Sequence, residues 1–140
     1  MLGNSHRLMA ASGAVLLGAS PLQAAVAALG ATLPDRIEIV GLPHRGISHW
    51  PWPWALAVWS MHAQRSEWGT LLAWWLAGAL LHIGADLFTV GGVPLVLPNW
   101  RVRLGVLRTG GLGEYMLVVL CVVVALMQVF HLQVVRVAIP

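Results

Sequence analysis

Lysine is absent from the sequence, and charge of any kind is scarce: eight arginines face five acids, so that charged residues make up 9% of the 140. Soluble domains carry roughly 25%, and a chain this poor in charge could not cover the surface of a soluble domain of its size. The basic excess, a net charge of +3, is too small and too dispersed to form the concentrated basic face that binds nucleic acid, so no nucleic-acid partner is expected. One cysteine, Cys121, excludes an internal disulfide and a thiolate metal site. What is abundant is hydrocarbon: 59% of residues are hydrophobic, and eight of them are tryptophans. The composition implies an integral membrane protein, and the succession of apolar arms along the chain makes the expected fold all-α.

Punctuation divides this hydrocarbon into arms. Residues 8–33 are apolar and long enough for one spanning helix of about 20 residues, but Gly18-Ala19-Ser20-Pro21 is strong turn chemistry. A straight helix would carry His6 and Asp35 roughly 40 Å apart at 1.5 Å per residue. A reversal near Ser20 returns both to one end. A second hairpin follows. Pro51 and Pro53 open a helix through residues 54–63, Gln64-Arg65-Ser66-Glu67 turns the chain, and residues 68–87 come back. Two antiparallel helical hairpins thus form a four-helix bundle over residues 1–88. Residues 89–112 form a Gly- and Pro-containing connector, expected to lie ordered over the site end, and residues 113–136 a C-terminal transmembrane helix, all in a single domain 1–140. The outline His6-Arg7, an apolar run and small residues near Gln23 also fits a signal peptide, whose removal would discard His6.

The polar residues concentrate at one end. Residues 42–50, Leu-Pro-His-Arg-Gly-Ile-Ser-His-Trp, hold His44, Arg45 and His49 at the crossover between the hairpins. His82 and Asp86 stand four apart and so share one helix face. With His6 and Asp35, four of the six histidines and two of the five acids fall at this end. Ionisable groups in apolar segments are costly and usually mark a site or pathway. Imidazole with carboxylate and without thiolate suits a divalent metal, zinc first and manganese second. Six candidates exceed one tetrahedral site, so either a second metal binds or some members orient the others. Arg45, Arg101 and Arg103 are suited to hold a phosphate or a lipid headgroup. Trp50, Trp52, Trp54 and Trp100 cluster near the same end, as in an interfacial tryptophan belt. Arg7, Arg36, Arg45, Arg101, Arg103 and Arg108 lie on the site side and Arg65 and Arg136 on the other, which places the site end in the cytoplasm.

The order Ser5-His6, Leu33-Pro34-Asp35, His44-Arg45-Gly46-Ile47-Ser48-His49, Leu81-His82-Ile83-Gly84-Ala85-Asp86 and Gly92-Val93-Pro94-Leu95 resembles the YdjM-like, LexA-regulated, membrane-bound metal-dependent hydrolases of bacterial inner membranes. The resemblance covers residues 3–120 and extends to Pro98, Arg101, Arg103 and Glu114. More distantly, the ligand order is similar to that of the zinc phospholipase C and P1-nuclease group. These resemblances imply that Asp35, one of His44 or His49, His82 and Asp86 surround one metal, and that His6 and a shared Asp86 help to hold a second. Ile37 stands where the family often has a second acid, with Glu38 beside it, and Trp50 replaces a small hydroxyl residue; the first departure removes a carboxylate that a second metal would use.

The expectation is therefore a multi-pass bacterial inner-membrane hydrolase that cleaves a phospholipid or other phosphodiester with metal-activated water. Arginines such as Arg45 would stabilise the developing charge, and Glu38 or Glu114 would manage protons. Two other functions fit the same residues: a metal-binding or transport protein without hydrolysis, and a structural subunit of a membrane assembly. Membrane lipid is the expected partner, and the oligomeric state is left open.

Overall fold

The computed structural model describes residues 1–38, 41 and 45–138, with side chains to residue 133; His44 lies outside the described residues. The chain is helical almost throughout. Helix α1 spans Gly3–Leu16 and α2 spans Pro21–Gly30, and the chain reverses between them. Gly18 turns with φ +90, and Ser20 begins α2 with a reciprocal cap, its hydroxyl accepting from the Gln23 N–H and its own N–H donating to the Gln23 side chain. Pro21 sits at the first helical position, where its missing N–H costs nothing. The proline therefore starts a helix where it would have broken a continuous one.

A five-residue helix, α3 at Leu33–Ile37, and a 3₁₀ turn at Ile47–His49 lead to α4, Pro51–Ala63, and α5, Glu67–Leu87, which Ser66 caps through the Gly69 N–H. The connector holds a small antiparallel hairpin, β1 at Val93–Pro94 and β2 at Arg101–Val102, with Val93 opposite Val102 and Pro94 opposite Arg101. Helix α6, Leu112–Ala138, completes the chain. The hairpin was not foreseen within the connector.

Helix α5 is the hub, packing against α1, α2 and α4, while α6 lies along α1. Small residues make these contacts possible. A β-carbon on Gly30 would run into the Trp75 carbonyl, and one on Gly78 into the Ala27 carbonyl, so α2 and α5 meet backbone to backbone. The buried apolar residues are mostly alanines, Ala10, Ala14, Ala27, Ala31 and Ala79 among them, whereas Trp68, Phe130 and Leu29 are 78%, 73% and 64% exposed. This is an interior of small residues with large hydrophobes outside, the reverse of a water-soluble core. Two helices, α5 and Leu112–Gln133 of α6, are long and apolar enough to cross a membrane. At 14, 10 and 13 residues, α1, α2 and α4 are shorter than the roughly 20 needed to span one.

Candidate metal centre

The structure brings His6, Asp35, His49, His82 and Asp86 together where the hairpins meet. His82 and Asp86 project from one face of α5, and both are 1% exposed. Asp35 comes from α3 behind Pro34, His49 from the 3₁₀ turn and His6 from the start of α1. His6 stacks on His82 with ring centroids 3.6 Å apart, and His49 meets His82 edge-on.

Four donor atoms converge: His49 Nε2, His82 Nε2, Asp35 Oδ1 and Asp86 Oδ2. The two imidazole nitrogens are 3.2 Å apart, each is 3.6 Å from Asp35 Oδ1, and each is 3.7 Å from Asp86 Oδ2. Metal bonds of about 2.0–2.1 Å at tetrahedral angles put donor atoms about 3.3–3.4 Å apart. His49 Nε2, His82 Nε2 and Asp35 Oδ1 are thus spaced to share one ion of zinc size, with Asp86 Oδ2 within reach of both imidazoles. His6 approaches the other oxygen of Asp86, Nε2 to Oδ1 at 3.4 Å, which makes His6, His82 and Asp86 a second, overlapping ligand group. His82 Nε2 has one lone pair and can serve only one ion at a time.

The surroundings prepare the donors. Glu38 Oε1 accepts from the Arg45 N–H at 2.6 Å and the Ser48 hydroxyl at 2.7 Å, and lies 3.0 Å from His49 Nδ1. With an ion bound, a proton on His49 Nδ1 towards Glu38 would leave Nε2 as the ligand atom, the usual arrangement of a carboxylate-oriented metal ligand. Without an ion, Nε2 can carry the proton and donate to Asp35. Arg45 reaches Asp86 Oδ2 at 3.0 Å and donates to the Thr89 hydroxyl at 3.0 Å, and Thr89 in turn donates to the Asp86 carbonyl at 2.7 Å. Gly91 leaves room for the guanidinium, which a β-carbon there would displace. The α-amino group of Met1 lies 2.9 Å from Asp86 Oδ1.

Burial, then the facing His82, holds the His6 pKa down at about 3, well below the usual 6.5, so the ring is neutral and open to an ion at physiological pH. Burial pushes the Asp35 carboxyl upward, but the hydrogen bond to His49 and the nearby imidazoles outweigh it and bring the pKa to about 2. Nδ1 of His6 and of His82 is buried without a well-formed hydrogen bond among the described residues. The Asp35 side chain is 47% exposed while those of His49, His82 and Asp86 are at most 2% exposed, so the site opens on the Asp35 side.

The other sequence candidates are held by contacts of their own. Glu114, 0% exposed, takes the Leu2 and Gly110 N–H groups at 2.8 and 2.9 Å, fastening the start of α1 to the end of the connector. Arg101 and Arg103 stand exposed on the connector, and Arg103 donates to the Val90 carbonyl at 3.0 Å. Ser48 and Thr89 were missed by sequence reasoning. Their signal was faint: Ser48 precedes His49 and Thr89 follows Asp86 by three residues, both positions from which a hydroxyl reaches the local backbone or a neighbouring ligand. A cavity of about 810 Å³ forms an apolar groove on α6 lined by Leu126, Met127, Val129, Phe130, His131 and Gln133. It begins twelve residues, about 18 Å, along the helix from Glu114 and is unrelated to the cluster. Comparison with family models, with curated proteins and with solved structures finds no match to this chain.

Proposed function

We propose that the chain is a membrane-embedded, metal-dependent hydrolase acting on a phospholipid or another phosphodiester. The observation that carries this reading is the pair of buried imidazole nitrogens 3.2 Å apart, each 3.6–3.7 Å from oxygens of the partly exposed Asp35 and the buried Asp86, with Arg45 against Asp86. A bound divalent ion supplies Lewis acidity and lowers the pKa of water. His49, His82, Asp35 and Asp86 would hold it, with His6 beside Asp86. Glu38 fixes the tautomer and angle of His49. Arg45, tied at one nitrogen to Asp86 and at another to Thr89, keeps a positive charge where a phosphoryl oxygen would gain negative charge. The partly exposed Asp35 marks the side by which substrate arrives.

The lipid setting is supported by the two spanning-length helices and the exposed large hydrophobes. The arginine excess at the site end supports a bacterial inner-membrane placement with that end in the cytoplasm, and the motif order supports membership of the YdjM-like hydrolases. A second reading, a metal holder without hydrolysis, is favoured by one feature: the protein side chains gathered here, Asp35, His49, His82 and Asp86, are numerous enough to fill a tetrahedral site without water or substrate, as in structural zinc sites.

Metal analysis of the purified protein should find about one transition metal per chain, and His82→Ala or Asp86→Ala should lose it together with hydrolysis of a chromogenic phosphodiester. Retention of metal in both variants would falsify the assignment of the site. Normal metal loading with no turnover of any phosphoester would leave the metal-holder reading standing in its place.

A further inference from the structure

The connector between α5 and α6 is ordered, basic and apolar at once. Strand β1 packs against α5 and against the 3₁₀ turn that carries His49, with Val93 fully buried, so the hairpin lies against two of the elements that build the metal centre. Two indole N–H groups clasp it from α4 and the residue before α4: Trp52 donates to the Leu95 carbonyl at 2.8 Å and Trp50 to the Val96 carbonyl at 3.4 Å. Its outer side is another matter. Val96, Leu97 and Trp100 are 60%, 58% and 62% exposed, and Trp52 beside them is 60% exposed. Arg101, Arg103 and Arg108 are exposed on the same segment, and no acid occurs between Asp86 and Glu114.

Exposed tryptophan and aliphatic side chains rimmed by arginine do not suit water or hydrocarbon alone. They suit the boundary between them, where indole rings sit at headgroup depth and guanidinium groups meet phosphate. Chain continuity puts the connector at that depth, because it joins one end of spanning-length α5 to the near end of spanning-length α6.

We propose that this connector is a docking surface that holds anionic phospholipid headgroups beside the elements carrying the metal centre. The proposal rests on the membrane-enzyme reading and names lipid as its substrate class. The test uses the full chain in nanodiscs containing brominated phosphatidylglycerol or brominated phosphatidylcholine, with the Trp100 signal taken as wild type minus Trp100→Phe. Trp100 should be quenched by both lipids, with a preference for the anionic one approaching about fivefold, the worth of roughly one arginine–lipid contact. Joint replacement Arg101→Gln, Arg103→Gln and Arg108→Gln should bring the ratio to one, while stripping metal with a chelator should leave it unchanged. Incorporation into discs with Trp100 unquenched, or equally quenched by both lipids, overturns the docking surface alone. Loss of the preference on chelation shows headgroups held by the ion instead and overturns it as well. Failure of the protein to enter discs overturns both this proposal and the membrane reading.

Discussion

Asp86 is the residue on which most interactions converge. One carboxylate oxygen faces both His49 and His82 and takes the Arg45 guanidinium; the other faces His6 and the Met1 amine. The donors are in turn oriented by side chains that do not themselves face the cluster, and Glu38, against His49, is the clearest of these. Because Glu38 Oε1 gathers Arg45 N–H, the Ser48 hydroxyl and His49 Nδ1, Glu38→Gln should misorient His49 and weaken metal affinity by about 10–100-fold without abolishing binding, the usual effect of losing a ligand's orienting partner. Competition against a fluorescent chelator measures it; an unchanged affinity would mean that Glu38 does not orient His49. His6 makes a pH prediction for metal-stripped protein. Its folded pKa, about 3, lies below the unfolded value of 6.5, so the unfolded chain binds more protons between those values. Stability from this residue is complete above about pH 6.5 and falls as the pH drops towards 3, at up to about 1.4 kcal/mol per unit. Thermal melts of wild type and His6→Gln across that range should show a shallower slope in the variant. Parallel slopes would contradict the assignment.

At the scale of elements, the α2–α5 contact depends on two glycines, and helix propensity alone predicts the wrong sign there. Alanine is favoured over glycine inside a helix by about 0.8–1.0 kcal/mol, yet a β-carbon on Gly78 would press on the Ala27 carbonyl. Gly78→Ala should therefore destabilise by about 1–3 kcal/mol, the cost of overpacking, whereas Gly84→Ala on the same helix, exposed and with open space around it, should be neutral or stabilising. Melting temperatures of the two variants moving in the same direction would disprove the close approach. Much of this layout was legible in the sequence. Ser20-Pro21 and residues 64–67 turn the chain and Pro51 opens a helix as expected, and Ser20 and Ser66 also cap the helices that follow. Joining His82 and Asp86 was equally direct, since one helix spaces them. The β1–β2 hairpin was not legible, because two-residue strands among prolines and glycines leave no alternating pattern to read. The roles of Ser48 and Thr89 were hidden for another reason: they depend on where Glu38 and Arg45 arrive in space. Arg45 itself adopts a left-handed backbone, φ 56, that its residue type does not announce.

The described residues form a small-residue interior wrapped in large hydrophobes, with the buried ionisable groups, His6, His49, His82, Asp86 and Glu114, gathered at one end. The proposed membrane placement turns this into a prediction about sidedness. Helix α5 has 21 residues, about 30 Å of helix, which matches the hydrocarbon thickness. Its start, next to Gln64, and its finish, next to Asp86, should then emerge on opposite faces. Thr109 lies on the connector side and Gln64 on the far turn, and both are exposed. Helix α6 contains the sole cysteine, so Cys121→Ser provides a clean background. In intact bacterial cells a membrane-impermeant maleimide should label Gln64→Cys from outside and reach Thr109→Cys only after permeabilisation, because six of the eight arginines lie at the connector end and should stay in the cytoplasm. The reverse pattern would keep the membrane span but invert its orientation, moving the metal centre to the periplasmic face. Equal labelling of both positions in intact cells would remove the span itself, and with it the reason for so many exposed leucines and tryptophans around so small a core.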